Sequence, residues 1–224
     1  MTSLATLLQY IPYMLEGLIW TFTLVSGGLL LGFTIGLPLA LAEVYGGEYT
    51  RTLVKCYIWF FRGVPLLVLL FLFYWGVFPS LGLKLAPLST SIIVLGLRSG
   101  AYQSEIFRSA IQAIGEGQIL AAEALGMNRL QAILYIVIPQ ILRIAIPAWS
   151  NEYAIILKDS AICFTLGVAE ILTRARYVVI TTGVALIPYL IAGVSLMILT
   201  YFGVKVLDRI YSRVKIPGLG VSLP

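Results

Sequence analysis

Asn151 and Glu152 stand side by side within a strongly apolar run, and Lys158-Asp159-Ser160 follows them. Residues of these types favour recognition over bond making. The Glu152 carboxylate suits an amino group, and an Asn amide such as Asn151 both donates to a carboxylate and accepts from an ammonium. Lys158, Asp159 and Ser160 would close the outer end of such a site. With Tyr102 from an earlier segment, the candidate substrate-binding set is Asn151, Glu152, Tyr102, Lys158 and Ser160. A second reading stands beside it. The same side chains can serve as hydrogen-bond glue between helices, with Lys158 and Asp159 pairing with each other.

Other reaction classes find little support. The chain has no His, which removes the commonest general base and metal ligand. Cys56 and Cys163 lie far apart with no CxxC spacing, so neither a disulfide nor a metal site is expected. A membrane-embedded enzyme would need a nucleophile–base pair or a metal cluster. No Walker-type Gly-rich loop is present to cradle ATP phosphates.

Composition sets the solvent. Of 224 residues, 60% are hydrophobic and 11% charged, with a mean hydropathy of +0.98. A soluble domain is near half apolar and about a quarter charged. The chain is therefore read as all-α and polytopic, with about five transmembrane helices at about 20 apolar residues each. Residues 1–16 are expected to form a short helix on the outer surface. They hold no Lys or Arg and no small-residue cleavage site, so a removable signal peptide is not expected. The spans are expected near 17–42, 53–78, 88–114, 130–157 and 184–207, and the whole of 1–224 as one transmembrane domain. Between them lie a polar loop at 43–55, an outer turn at 79–87, a soluble helical loop at 115–129 and an outer segment at 163–183. A tail occupies 208–224.

Local chemistry refines this outline. Gly28, Gly32 and Gly36 fall on one helix face, a ridge that lets another helix approach. Gly63 and Pro65 predict a helix break, and Pro139 and Pro147 predict a bent fourth span. Glu105 and Arg108 share a helix face and predict a structural ion pair. Arg143, between the two prolines, must face protein or water. Ala121, Ala122, Ala124 and Gly126 give the 115–129 loop a small-residue surface open to close approach by a partner. Arg51, Lys55, Arg108, Arg129, Lys205, Arg209, Arg213 and Lys215 all fall on one side of a five-span chain, which is then cytoplasmic, with the N-terminus outside.

Four blocks, in order, resemble ABC importer permeases of the polar-amino-acid type. Phe61-Arg62-Gly63-Val64-Pro65-Leu66-Leu67-Val68-Leu69 is similar to an Arg-Gly-Thr-Pro signature, with Val64 and Leu69 replacing a Thr and a Gln. Ala101-Tyr102-Gln103-Ser104-Glu105-Ile106-Phe107-Arg108 is similar to Ala-Tyr-x-x-Glu-x-x-Arg. Ala121-Ala122, Gly126 and Ile136-Val137-Ile138-Pro139 resemble the EAA coupling loop, with Leu120 in place of the Glu and Ile138 in place of a Leu. Asn151-Glu152 followed by Lys158-Asp159-Ser160 completes the set. The resemblance implies the type I importer transmembrane fold and a dimer of permeases, identical or paralogous. It also implies two ATP-binding cassette subunits and an extracytoplasmic solute-binding protein. ATP would bind the partner, and this chain would carry no cofactor. Coupling would run through Gly117, Gln118, Ala121, Ala122, Glu123, Leu125 and Gly126. The alternative is a stand-alone amino-acid carrier or channel; such folds usually carry internal repeats, and no duplicated half is visible.

Overall fold

The structure is a computed structural model that describes residues 9–215. The expected helix at 1–16 falls partly outside the described residues, as does the tail with Pro217, Gly218 and Gly220.

Helix α1 (Ile11–Leu15) leads through Glu16 into α2 (Gly17–Tyr45). Helix α3 (Glu48–Gly63) follows after only Gly46 and Gly47, so the polar loop expected at 43–55 does not exist. Its polar residues sit instead on helical turns. Arg51 Nε reaches back to the Glu43 carbonyl at 3.2 Å, across the tight turn. Helix α4 (Leu66–Phe71) runs on through a π-helical segment, Leu72–Val77, and a final turn, Phe78–Ser80. Helix α5 is Pro87–Ile114 and α6 is Gly117–Ala124. Helix α7 (Arg129–Ala132) passes through a second π-helical segment, Ile133–Val137, into α8 (Ile138–Ile144) and α9 (Ile146–Ser160). A 3₁₀ stretch, Ala161–Leu166, precedes α10 (Ile171–Thr182) and α11 (Leu186–Val214).

Two spans expected as single helices are broken. The segment read as 53–78 turns by 105° between α3 and α4. Val64 adopts the extended conformation required ahead of Pro65, and Pro65 supplies no N–H to continue the ladder. The segment read as 130–157 bends by 57° between α8 and α9. That bend falls at Ala145, just before Pro147, while Pro139 sits at the start of α8 behind the π-helical turn. Among the described residues, two helical stretches, Ile11–Tyr45 and Leu186–Val214, are each long and apolar enough to cross a membrane, and the two bent pairs raise the number to four. Helix α5, at 28 residues, is about 42 Å long and is long enough to be a fifth. Its polar side chains Ser99, Gln103 and Ser104 are buried in protein.

The centre of the bundle is α2 against α5, the most extensive helix pairing among the described residues. The glycine ridge makes it possible. A Cβ at Gly32 would lie 2.6 Å from Gln103 Nε2, and one at Gly36 would lie 2.9 Å from the Gly100 carbonyl. Gly96 and Gly100 of α5 return the approach, receiving Leu31 and Ile35. Leu24, Leu29, Val94, Leu95, Leu69, Leu70 and Leu157 fill one core around this seam. Phe107, Ile119, Ala122, Val137 and Ile141 fill a second near the α6 end. The segment 163–183, expected as outer surface, contains α10, which packs Ile171, Ala175 and Val178 against Met14 and Ala192. Arg174 clamps it to α1 by donating to Glu16 Oε2 at 2.7 Å and to the Tyr13 carbonyl at 2.8 Å. Leu190, Met197, Ile198, Phe202 and Val206 of α11 are exposed, as a lipid-facing helix requires.

Gly32→Ala should therefore destabilise the chain by about 1–3 kcal/mol through overpacking against Gln103. Gly193→Ala, where a Cβ meets nothing within 4 Å, should leave stability near that of the unaltered chain. Thermal unfolding of both variants in detergent checks the contrast.

Candidate functional site

Helix α5 presents Arg98, Ser99, Tyr102 and Gln103 as i, i+4 pairs, so two adjacent strips of one face are polar in an apolar bundle. Gln103 is fully buried and uses both ends of its amide. Its Nε2 donates to the Leu29 carbonyl of α2 at 3.0 Å and to Ser99 Oγ at 3.0 Å. Its Oε1 accepts from Trp149 Nε1 of α9 at 2.8 Å. Ser99 Oγ then donates to Glu152 Oε1 at 2.6 Å. One side chain thus ties three helices together and leads directly to the buried carboxylate of Glu152.

The neighbouring strip carries charge. Arg98 forms an ion pair with Asp159 of α9. It also donates to the Tyr102 hydroxyl at 3.4 Å, and its guanidinium lies 4.9 Å from the Tyr102 ring centre. Arg62, at the end of α3, lies 5.0 Å from the same ring. Below them a cavity of about 610 Å³ opens between α3 and α5. It runs from Glu43, Lys55, Glu105 and Arg108 at one end to Arg62, Gly63 and Tyr102 at the other.

The expected site residues divide. Glu152 is buried and bonded, while Asn151 is exposed on the adjoining face of α9. Tyr102 is half-buried at the cavity end. Ser160 is fully buried and donates to the Leu157 carbonyl at 2.7 Å, so its hydroxyl is spent within its own helix. Lys158 is exposed, and Asp159 faces Arg98 rather than Lys158. Consecutive helical residues point about 100° apart, so the pairing expected between 158 and 159 is disfavoured by geometry. The Glu105–Arg108 pair forms as expected at 2.7 Å, with Glu43 a further carboxylate at 3.8 Å. Arg143 is exposed and has no polar partner among the described residues. Ser99, Gln103 and Trp149 did not stand out in sequence. A polar Ser99–Gln103 pair one turn apart inside a span was the available signal.

Helix α6 hangs below α5. Ile119 and Ala122 are buried in the second core, so Ala122 does not belong to the exposed small-residue surface expected of it. Gly117, Gln118, Ala121, Glu123, Ala124 and Gly126 are exposed, and Leu120 and Leu125 are 62% and 86% exposed. Gly126 ends the helix at φ +89, a left-handed position suited to glycine. Asn128 then caps α7, accepting from the Gln131 N–H at 2.9 Å while Gln131 Oε1 accepts from the Asn128 N–H at 2.9 Å.

Comparison with known proteins gives a consistent outcome. A family described as "Binding-protein-dependent transport system inner membrane component" matches residues 28–215. The probable amino-acid permease protein YxeN of Bacillus subtilis (strain 168) is 38% identical over 168 residues, 74% of this chain and 75% of that one. The arginine transport system permease protein ArtQ of the same organism is 34% identical over 203 residues, covering 89% and 92%. A solved structure titled "Crystal structure of an amino acid ABC transporter with histidines" superposes with a TM-score of 0.84 at 31% identity, covering 96% of this chain and 100% of that one.

Asp159→Asn should cost about 2 kcal/mol, because it removes the charged acceptor of the partly buried Arg98. The double variant with Arg98→Gln should recover part of that loss. Thermal unfolding of the single and double variants in detergent measures the coupling.

Proposed function

The chain belongs to the family of inner membrane components of binding-protein-dependent transport systems, and from that premise we propose that it is the permease subunit of an ATP-driven importer for polar amino acids. The observation that carries the mechanistic part is α6. Only Ile119 and Ala122 anchor this short helix, while Leu120 and Leu125 stand bare among polar and small neighbours. Such a surface suits the groove of a second protein. The substrate class rests on relatives whose names specify amino acids, among them permeases for arginine, glutamine and L-cystine.

In this reading, residues 1–224 form one permease domain, with the N-terminus outside and the C-terminal tail in the cytoplasm. The complex contains a second permease, identical or paralogous, two ATP-binding cassette subunits and an extracytoplasmic solute-binding protein. ATP is bound and hydrolysed on the partner subunits, and this chain holds no cofactor. Gly117, Gln118, Ala121, Glu123, Leu125 and Gly126 offer the docking surface, with Ala122 as its inner support. Movement of α6 passes through Ile119, Ala122 and Phe107 into the base of α5. The substrate site lies above, around Glu152, Asn151 and Tyr102, with Lys158 on the same helix. Ser160 contributes backbone support rather than a free hydroxyl. Pumping requires that the site bind its ligand with different affinity in its outward and inward states.

Two features make this machinery plausible in lipid. The breaks at Val64–Pro65 and Ala145 divide two spans into segments that can reorient separately. The bonds of Gln103 meanwhile keep α2, α5 and α9 together.

Leu125→Glu tests the coupling role. Membrane insertion and yield should match the unaltered chain, whereas recovery of the ATPase with the tagged permease and uptake of labelled amino acids should both fall at least about tenfold. Unchanged uptake would refute docking through α6.

A further inference from the structure

Charges in and above the cavity sort themselves into paired and unpaired groups. Arg108 is paired with Glu105 and lies near Glu43. Arg98 is paired with Asp159. One acid and two bases are left over among the described residues. Glu152 receives one neutral hydrogen bond, from Ser99, and no basic side chain lies within ion-pair distance of it among the described residues. Arg62 is exposed, has no hydrogen bond or carboxylate partner there, and is positioned only by the face of the Tyr102 ring. Lys55 lines the same cavity unpaired, but it lies about two helical turns before Arg62 on α3, at the Glu43 end.

Arg62 is placed by backbone chemistry. It is the penultimate residue of α3, and the chain beyond Gly63 turns away by 105° because Val64 is extended ahead of Pro65. The break leaves the guanidinium at the cavity end with Gly63 beside it. Stacking on Tyr102 orients the planar fork and leaves its N–H donors free for a carboxylate, which a guanidinium can bind through two parallel bonds.

An unpaired acid and an unpaired base held from neighbouring turns of α5, Glu152 through Ser99 and Arg62 through Tyr102, make a receptor for a zwitterion. We infer that Arg62 is the carboxylate anchor of the transport site: the α-carboxylate of the amino acid bonds to Arg62 while its ammonium is held at Glu152. This rests on the reading that the space around Glu152 and Tyr102 is the substrate path. It adds a specificity that reading lacks, since the pair selects for a free α-carboxylate and leaves side-chain discrimination to other contacts.

The test uses the purified complex of this permease with its ATPase and equilibrium binding of radiolabelled L-arginine or L-glutamine, whichever the unaltered complex accumulates. Each is compared with its amide, L-argininamide or L-glutaminamide, which keeps the ammonium and lacks the carboxylate. The unaltered complex should prefer the acid by about tenfold or more. Arg62→Gln should weaken acid binding to the level of the amide and leave amide binding unchanged. Arg62→Lys should restore part of the preference. Acid binding unchanged in Arg62→Gln overturns the proposal, and so does an equal loss for acid and amide, the signature of a merely structural role. Glu152→Gln is measured in parallel. If it binds both ligands as tightly as the unaltered complex, the substrate path itself is misplaced and the failure belongs to the earlier reading.

Discussion

A polar group inside a lipid-embedded bundle must find its partners within the protein, and here that constraint converges on Gln103. Its amide is satisfied from α2, from its own helix and from α9. Nothing of this would fit without the glycines of α2. Gly32 and Gly36 let the Gln103 side chain lie directly against the opposing backbone, where any Cβ would collide. The glycine ridge and the buried amide are one device. The first brings the helices within reach, and the second fixes their rotation and register.

That device also explains how a carboxylate is kept at depth. Glu152 is anchored to Ser99, which is itself bonded to Gln103, so its carboxyl is held by a neutral polar chain. Arg98, the nearest cation of α5, is committed to Asp159. At the other end of α5, Glu105 and Arg108 neutralise each other just above the segment leading to α6. Along α5 the charges are matched in two ways: Arg98 pairs across to Asp159 of α9, and Glu105 and Arg108 pair within the helix. Helix α6 reaches this column through Ile119 and Ala122, which share a core with Phe107. The α6 contact and the polar cluster are separate regions along α5.

Much of the architecture was legible in sequence because it follows from short-range rules. The glycine spacing at 28, 32 and 36 foretold the seam, and Glu105–Arg108 foretold its ion pair. Gly63 with Pro65 foretold the break, though not its 105° size, which depends on what α4 packs against. The polar loop at 43–55 failed for an instructive reason. Glu48, Arg51 and Lys55 are exposed on a helix face while Glu43 is buried, and only Gly46 and Gly47 were needed to turn the chain. Long-range partners were not legible. Arg98 with Asp159 and Gln103 with Trp149 join residues 61 and 46 positions apart. No spacing rule connects them. Ala122 was misassigned because small residues read alike whether they face a partner or a core.

The central claim is directional: work enters from the cytoplasm through α6 and reaches a site deep in the bundle. Topology tests it most directly. With Cys56 and Cys163 replaced, single cysteines are introduced as Ala121→Cys on α6 and Lys84→Cys in the turn before α5. A membrane-impermeant maleimide is then applied to intact and to opened cells. Lys84→Cys should react in intact cells and Ala121→Cys only after the membrane is opened. Labelling of Ala121→Cys in intact cells would contradict the account.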